Sequence, residues 1–223
     1  MPLTPGLIAT VLCLAASPQT PPIFQPGAPG QPSRVISAGA SVGLSRTGFT
    51  ADDVRFMQHM LVHHAQAVEM VELLRAHGAD PTVRQLGERI ALGQAAEMEQ
   101  MRDWLAAREQ PETAADLHGG HGGHAGHAAS ADAPLMPGML SPARMQALAA
   151  ARGRALDRLF LEGMIDHHQG ALDMVDALMA EPDAGEDPLL SDFLSSVVAD
   201  QSAEILRMQS LLSDLNPTAE ERP

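Results

Sequence analysis

The stretch FMQHMLVHHAQAVEM at residues 56–70 occurs again, 104 positions later, as FLEGMIDHHQGALDM at residues 160–174. Both copies contain Met-x-x-His-His, with a second methionine six residues after the histidine pair. On a helix that turns about 100° per residue, the first methionine and both histidines share one face. The repeat therefore predicts two related helices, each with thioether and imidazole groups on an otherwise apolar side.

A second, shorter repeat follows each copy. Residues 94–101, QAAEMEQM, correspond to residues 201–208, QSAEILRM, so that a glutamine, a glutamate and a methionine recur at the same spacing. The offset grows from 104 to 107 residues, and the extra residues fall where HGADP in one half becomes EPDAGEDP in the other. Because insertions belong in turns, each half is predicted to be a hairpin of two helices.

Capping residues and prolines mark the beginnings of the helices. Thr50 with Asp53 forms a capping box, and Asp80-Pro81, Ser141-Pro142 and Asp187-Pro188 are helix-opening pairs. The chain has no tyrosine and one tryptophan, and this composition favours helices over strands. Two short-turned hairpins bury their apolar faces most simply as an antiparallel four-helix bundle, so we predict an all-α fold.

The same signals divide the chain into segments. The helical region that begins at Ser141-Pro142 is expected to bend or break near Gly153. We predict a signal peptide at 1–17, a Pro-rich disordered tether at 18–48, one bundle domain at 49–215 and a tail at 216–223. The domain is divided into hairpin 1 at 49–109, a His/Gly/Met-rich linker at 110–141 and hairpin 2 at 142–215.

Export is predicted from the apolar run Leu7 to Ala16, which is too short to span a bilayer but suits a secretory signal. The protein is then periplasmic or secreted. A lipid anchor is not expected, because Leu12 before Cys13 makes a poor lipoprotein site. No basic residue precedes the run, so a misassigned start codon is the alternative.

Charge and cysteine content exclude several classes of function. The formal net charge is −14, which argues against a nucleic-acid groove or an anionic membrane surface as partner and is compatible with metal ions. The single cysteine, Cys13, lies in the signal segment, so neither a disulfide framework nor a CxxC metal site is available. No membrane insertion is expected after processing, and a protein partner and the oligomeric state stay open.

Histidine and methionine are the candidate metal ligands. Counting outward from the turns places the two histidine pairs opposite the Gln and Glu of the second repeat, at the bundle end away from the turns and beneath the linker. The candidates are Met60, His63, His64, Glu97 and Met101, then Met164, His167, His168, Glu204 and Met208, and in the linker His118, His121, His124, His127, Met136 and Met139. Imidazole with thioether suits copper, as Cu(I) or Cu(II), and zinc is an alternative at the histidines.

The two HH motifs, each followed by Q-x-x-E-x-x-x-M, and the intervening MPGMLSPARM resemble the bacterial domain-of-unknown-function family 305 over about residues 49–213. The resemblance implies a ferritin-like four-helix bundle, usually exported, with some members linked to copper binding and copper tolerance. It does not imply an enzyme. The family's motif residues correspond to Met60, His63, His64, Met70, Met136, Met139, Met164, His167, His168 and Met174. The repeats differ where Ala65 stands against Gln169 and His59 against Gly163, so the two halves are expected to differ in affinity, with His59 an additional ligand in the first.

Three functions are therefore compared. The first is an extracytoplasmic protein that binds and buffers copper for copper tolerance without turnover, and its affinity should fall as the pH falls through the histidine range near 6.5. The second is a metal-free structural or interaction module in which the histidines and glutamates form a buried network. The third, a di-iron or di-manganese oxidase, is disfavoured because no Glu-x-x-His occurs in the chain.

Overall fold

A computed structural model describes residues 21–25, 32–37, 41, 48–115 and 134–215, which fall in two units, Met1–Arg46 and Thr47–Pro223. In the first unit, β1 (Ile23–Gln25) and β2 (Arg34–Ile36) pair antiparallel, with Phe24 opposite Val35. β-Branched and aromatic residues favour such pairing. The tether prediction for this segment did not include a strand pair.

The second unit is a bundle of long helices, which confirms the predicted all-α class. Its helices are α1 (Ala51–His77), α2 (Pro81–Ala106), α3 (Pro142–Ala150), α4 (Arg154–Met179) and α5 (Pro188–Leu215). Helices α1 and α2 form one hairpin, α4 and α5 form the other, and α1 packs against α4 between them. In the part of the chain that the structure describes, no helix combines the length and the apolar character needed to cross a membrane.

The helix ends follow the capping signals. Thr50 and Asp53 form a reciprocal capping box at α1, with Asp53 N–H donating to the Thr50 hydroxyl over 3.0 Å. The Asp80 side chain accepts from two backbone N–H groups at the start of α2. The predicted break is present, since the chain leaves α3 after Ala150 and α4 begins after Gly153, whose φ of 61° suits glycine.

The two hairpins run in opposite directions, so their turns lie at opposite ends of the bundle. At one end, Asp157 of α4 accepts from the backbone N–H of Ala79, in the α1–α2 turn, over 3.0 Å. At the other end, Asp53 of α1 accepts from Gly185 N–H, in the α4–α5 turn, over 2.8 Å. The expectation that both histidine pairs lie at a common end away from the turns is therefore wrong, because no end of the bundle is free of a turn.

The histidine pairs instead lie halfway along the bundle, between two apolar clusters. One cluster joins the start of α1, including Phe56, to the end of α4. The other joins the end of α1 to the start of α4, including Phe160, the repeat equivalent of Phe56. Polar side chains in a layer between two apolar clusters are costly to bury unless they find partners, so their hydrogen bonds indicate what the layer is for.

Candidate metal centre

Four imidazoles form the centre of this layer, two from each hairpin. His63 and His64 on α1 and His167 and His168 on α4 are all fully buried. The rings of His63 and His167 are in contact across the α1–α4 interface, with centroids 3.9 Å apart. Within each pair the ring centroids are about 6.4 Å and 6.3 Å apart, because neighbouring residues on a helix point in different directions.

The two inner histidines bind backbone carbonyl groups. His63 Nε2 lies 3.0 Å from the carbonyl oxygen of Pro137 in the linker. His167 Nε2 lies 2.9 Å from the carbonyl oxygen of His63 itself. Carbonyl oxygen only accepts hydrogen bonds, so Nε2 of both rings carries the proton.

The two outer histidines bind carboxylates of the second repeat. His64 Nε2 lies 2.6 Å from Glu97 Oε2, and His168 Nε2 lies 2.6 Å from Glu204 Oε2. The predicted layer of His, Gln and Glu is present: Glu97 contacts His64, whereas His63 turns toward the linker. An ionised carboxylate can only accept, so it too selects the Nε2–H form of the ring.

In the neutral form of each ring, this arrangement leaves Nδ1 with its lone pair. None of the four Nδ1 atoms has a hydrogen-bond partner among the described residues. A buried acceptor without a partner costs free energy. In metal sites, however, a ligating histidine usually binds the metal through one ring nitrogen and donates the N–H of the other to a carboxylate or a backbone carbonyl.

Burial also keeps the inner rings neutral. Burial, with a smaller contribution from nearby His64 and His168, lowers the pKa of His63 from 6.5 to about 3, against the raising effect of the Pro137 carbonyl. Burial, with neighbouring imidazoles, holds the pKa of His167 well below 6.5. If these two imidazoles bind metal, the loss of metal affinity predicted near pH 6.5 should therefore not arise from them.

Methionines lie in the apolar clusters on both sides of the imidazole layer. Those that are fully buried are Met57, Met60, Met70, Met101, Met164 and Met208, and Met98 and Met174 are partly buried. Met60 belongs to one cluster and its repeat equivalent Met164 to the other, because the hairpins run in opposite directions. Soft thioether groups thus flank the imidazoles from above and below.

The linker covers the layer at residues 136–140. Met136 and Met139 are 8% exposed. The side-chain amide of Gln66 in α1 accepts from the Leu140 N–H over 2.7 Å and donates to the Leu140 carbonyl over 3.0 Å. Gly170 of α4 allows the close approach, since a Cβ added there would lie 2.1 Å from the Pro137 carbonyl oxygen. This segment places that carbonyl against His63.

A match to the family described as Domain of unknown function (DUF305) covers residues 53–212, which is most of the chain. The chain belongs to the DUF305 family. No curated protein matches it at a significant level. The match spans both repeats and the linker between them, so the duplicated hairpin is a property of the DUF305 domain itself.

Solved structures agree with this DUF305 assignment. A DUF305 fragment from Deinococcus radiodurans is 31% identical, with a TM-score of 0.61 over 74% of this chain and 98% of its own. A DUF305 protein of Streptomyces coelicolor described as secreted is 28% identical, with a TM-score of 0.61 over 75% and 96%. CopM in its Cu(I)-bound form is 25% identical, with a TM-score of 0.53 over 75% and 98%, and CopM has also been solved with Cu(II) and with Ag bound.

Not all of the predicted ligands of this DUF305 protein fall in the layer. His118, His121, His124 and His127 lie outside the described residues. His59 lines a separate surface cavity that also contains Met174 and Glu181. Within the described ranges, no three His, Cys, Asp or Glu side chains are grouped to hold a metal ion.

Sequence reasoning missed three contributors to the site. The first is the Pro137 carbonyl, which no side-chain pattern reveals. The second is Gly170. The sequence contains a signal for it, because Gly170 is the repeat equivalent of Gln66, and this difference marks where the linker crosses the layer. The third is the pair Asp53 and Asp157, which are 104 residues apart like the histidines and fix the relative position of the hairpins.

Proposed function

We propose that this protein is an exported copper-binding protein that buffers copper for copper tolerance and catalyses no reaction. Copper is held as Cu(I) in the buried layer by Nδ1 atoms of histidines and by neighbouring methionine sulfurs. The observation that carries the proposal is the common state of His63, His64, His167 and His168, whose Nε2–H groups all face oxygen acceptors and whose Nδ1 atoms all lack partners.

The donor set fits copper in particular. Thioether and imidazole without thiolate are ligands that select Cu(I), whereas calcium and magnesium require oxygen ligands. Because the rings are already fixed by their Nε2 partners, binding needs little reordering of side chains. In this assignment Glu97 and Glu204 orient the imidazoles of His64 and His168 and do not themselves contact copper.

The relatives support both the metal and the compartment. CopM has been solved with Cu(I), Cu(II) and Ag bound, and Ag⁺ and Cu(I) share a preference for soft ligands. The Streptomyces coelicolor relative is described as secreted. We further propose that the linker histidines of the HGGHGGHAGH tract bind Cu(II) in a separate site, since imidazole suits that oxidation state.

A metal-free role has one observation in its favour. The four histidines already satisfy Nε2 with acceptors of their own, and no three His, Cys, Asp or Glu side chains in the described segments form a metal cluster. Such a network could simply fix the packing of α1 on α4. The two functions differ in one measurable respect, which is whether soft metal ions bind the folded chain.

The deciding experiment is Cu(I) titration against a competing chelator, with matched histidine variants. In His168→Gln, the amide nitrogen can still donate to Glu204, but the Nδ1 ligand is lost. We expect weaker Cu(I) binding with an unchanged circular dichroism spectrum. His77→Gln is the control, because His77 is exposed at the end of α1, and it should bind Cu(I) like the wild type.

The tautomers offer a direct readout of the same idea. Imidazole ¹⁵N chemical shifts should show Nε2–H rings in the metal-free protein for the four layer histidines, and the Nδ1 signals should move when Ag⁺ or Cu(I) is added. Unchanged Nδ1 signals at saturating Cu(I), with copper bound elsewhere or not at all, would leave the metal-free network as the better account.

A further inference from the structure

A polar cavity lies between α2 and α5, on the side of the imidazole layer opposite the linker. It has a volume of about 200 Å³ and is lined by four residues from each helix: Ile90, Gly93, Gln94 and Glu97, and Asp200, Gln201, Ala203 and Glu204. Six of these form three repeat-related pairs, each 107 residues apart. The duplication has therefore produced a cavity with approximate two-fold symmetry.

The glutamines of this cavity are buried, and three of their four amide N and O atoms lack hydrogen-bond partners in the described structure. Gln94 is 3% exposed and its Oε1 atom has no hydrogen-bond partner in the described structure. Gln201 is 1% exposed, and neither its Oε1 nor its Nε2 atom has one. Buried amide oxygens without protein partners at a cavity cost free energy unless the cavity contains something that binds them.

The charge of the cavity indicates that its occupant is a cation. Glu97, Glu204 and Asp200 contribute three carboxylates, and none of the lining residues is basic. Glu97 and Glu204 each use Oε2 to accept from a histidine, which leaves Oε1 for a ligand. Their side chains are 12% and 26% exposed, so the cavity connects the buried layer to solvent.

We propose that this cavity is a site for a hydrated divalent cation of the oxygen-preferring class, distinct from the copper site. Glu97, Glu204 and the amide oxygens of Gln94 and Gln201 are its protein ligands, directly or through coordinated water. The unpartnered Oε1 atoms of Gln94 and Gln201 provide amide oxygens beside the two carboxylates, and water completes the coordination. Carboxylate, carbonyl and water together suit Mn²⁺, Mg²⁺ or Ca²⁺ and not Cu(I).

The probe is Mn²⁺, added to the full chain after copper has been removed with a chelator. The electron paramagnetic resonance signal of free aqueous Mn²⁺ should fall by one equivalent per chain. In the double variant Glu97→Gln and Glu204→Gln the affinity should be about ten-fold or more weaker, because two charges next to the ion are lost. Glutamine retains an oxygen that accepts from each imidazole, so the layer is expected to stay folded.

A charge-matched control separates the site from the general acidity of the protein. Glu99→Gln with Asp192→Asn removes two exposed charges from the same two helices, outside the cavity, and should leave Mn²⁺ affinity unchanged. Equal affinities in the wild type and in the Glu97/Glu204 variant would overturn the proposal, as would the absence of bound Mn²⁺. In either case the cavity contains water only.

A measurement that needs no variant covers the case in which the double variant fails to fold. Bound Mn²⁺ should broaden the backbone amide signals of residues 93–97 and 200–204 first in ¹⁵N-labelled protein. Broadening centred elsewhere would count against the site. The experiment contains no copper, so its failure leaves the copper proposal standing, and failure of Cu(I) binding leaves this one standing.

Discussion

Acidification should destabilise the metal-free protein through its two inner histidines. The pKa of His63 is lowered by burial to about 3, and that of His167 well below 6.5. In the unfolded chain both imidazoles return to their ordinary pKa near 6.5 and bind a proton as the pH falls. Between about pH 6.5 and pH 3 the unfolded state therefore holds more protons, and the free energy of unfolding decreases as the pH decreases.

The magnitude follows from the width of that window. Each pH unit below the unfolded pKa lowers the free energy of unfolding by about 1.36 kcal/mol per histidine. At pH 5, about 1.5 units below 6.5, His63 contributes a loss of about 2 kcal/mol, and His167 contributes in the same direction. A loss of about 2 kcal/mol is already a substantial share of the roughly 5–15 kcal/mol that stabilises a typical domain.

Urea unfolding followed by circular dichroism at about pH 7, 6 and 5 measures this loss. His63→Gln is the informative variant, because its amide can still donate to the Pro137 carbonyl but does not titrate. Between pH 7 and pH 5 the wild type should lose about 2 kcal/mol more than this variant. His77→Gln, at an exposed position, should lose as much as the wild type. Equal losses in the wild type and in His63→Gln would refute the reasoning.

Two further predictions concern the contacts that hold the layer in place, and both are measured by urea unfolding at neutral pH. Gly170→Ala should lower the free energy of unfolding by about 1–3 kcal/mol or more, because its Cβ would lie 2.1 Å from the Pro137 carbonyl oxygen. Gly93→Ala is the control: a Cβ there meets nothing within 4 Å, so this change should raise the free energy of unfolding by up to about 1 kcal/mol. Equal effects of the two substitutions would contradict the close approach. Asp157→Ala should lower the free energy of unfolding by about 1–3 kcal/mol, because it leaves backbone N–H groups of the α1–α2 turn, including that of Ala79, without their acceptor. A smaller loss than that caused by an exposed Asp→Ala change would argue against this role.

The local structure could be predicted from sequence because it depends on neighbouring residues. Thr50, Asp80 and Ser141 all cap helices where the sequence indicated, and the break near Gly153 is present. Pairing across each hairpin also followed from counting residues outward from the turn, which brought Glu204 to a histidine of the opposite helix.

The relation between the hairpins could not be predicted in the same way. The repeat shows that the two hairpins are alike but does not say whether they pack in the same or in opposite directions. That choice depends on the buried carboxylates of Asp53 and Asp157, each of which accepts from the turn of the other hairpin. Because the expected common end does not exist, the contact between His63 and His167 in the middle of the bundle was not anticipated.

The contact between these two histidines also shows why the linker matters. In a fully symmetric pair, each imidazole would donate to the backbone of the other. His167 does donate to the His63 carbonyl, but His63 donates to Pro137 of the linker instead. The covering segment at residues 136–140 is therefore hydrogen-bonded to the layer itself, and a movement of that segment would free the Nε2–H of one proposed ligand.

The covering segment also limits how far the HGGHGGHAGH tract can lie from the layer. His127, the last histidine of the HGGHGGHAGH tract, precedes Pro137 by ten residues, and ten residues of chain span at most about 35 Å. The length of the bundle helices, at about 1.5 Å per residue over the 26 residues of α4, is about 39 Å, and the layer lies near their middle. The chain length alone therefore keeps His127 within about 35 Å of Pro137, which lies against His63 of the layer.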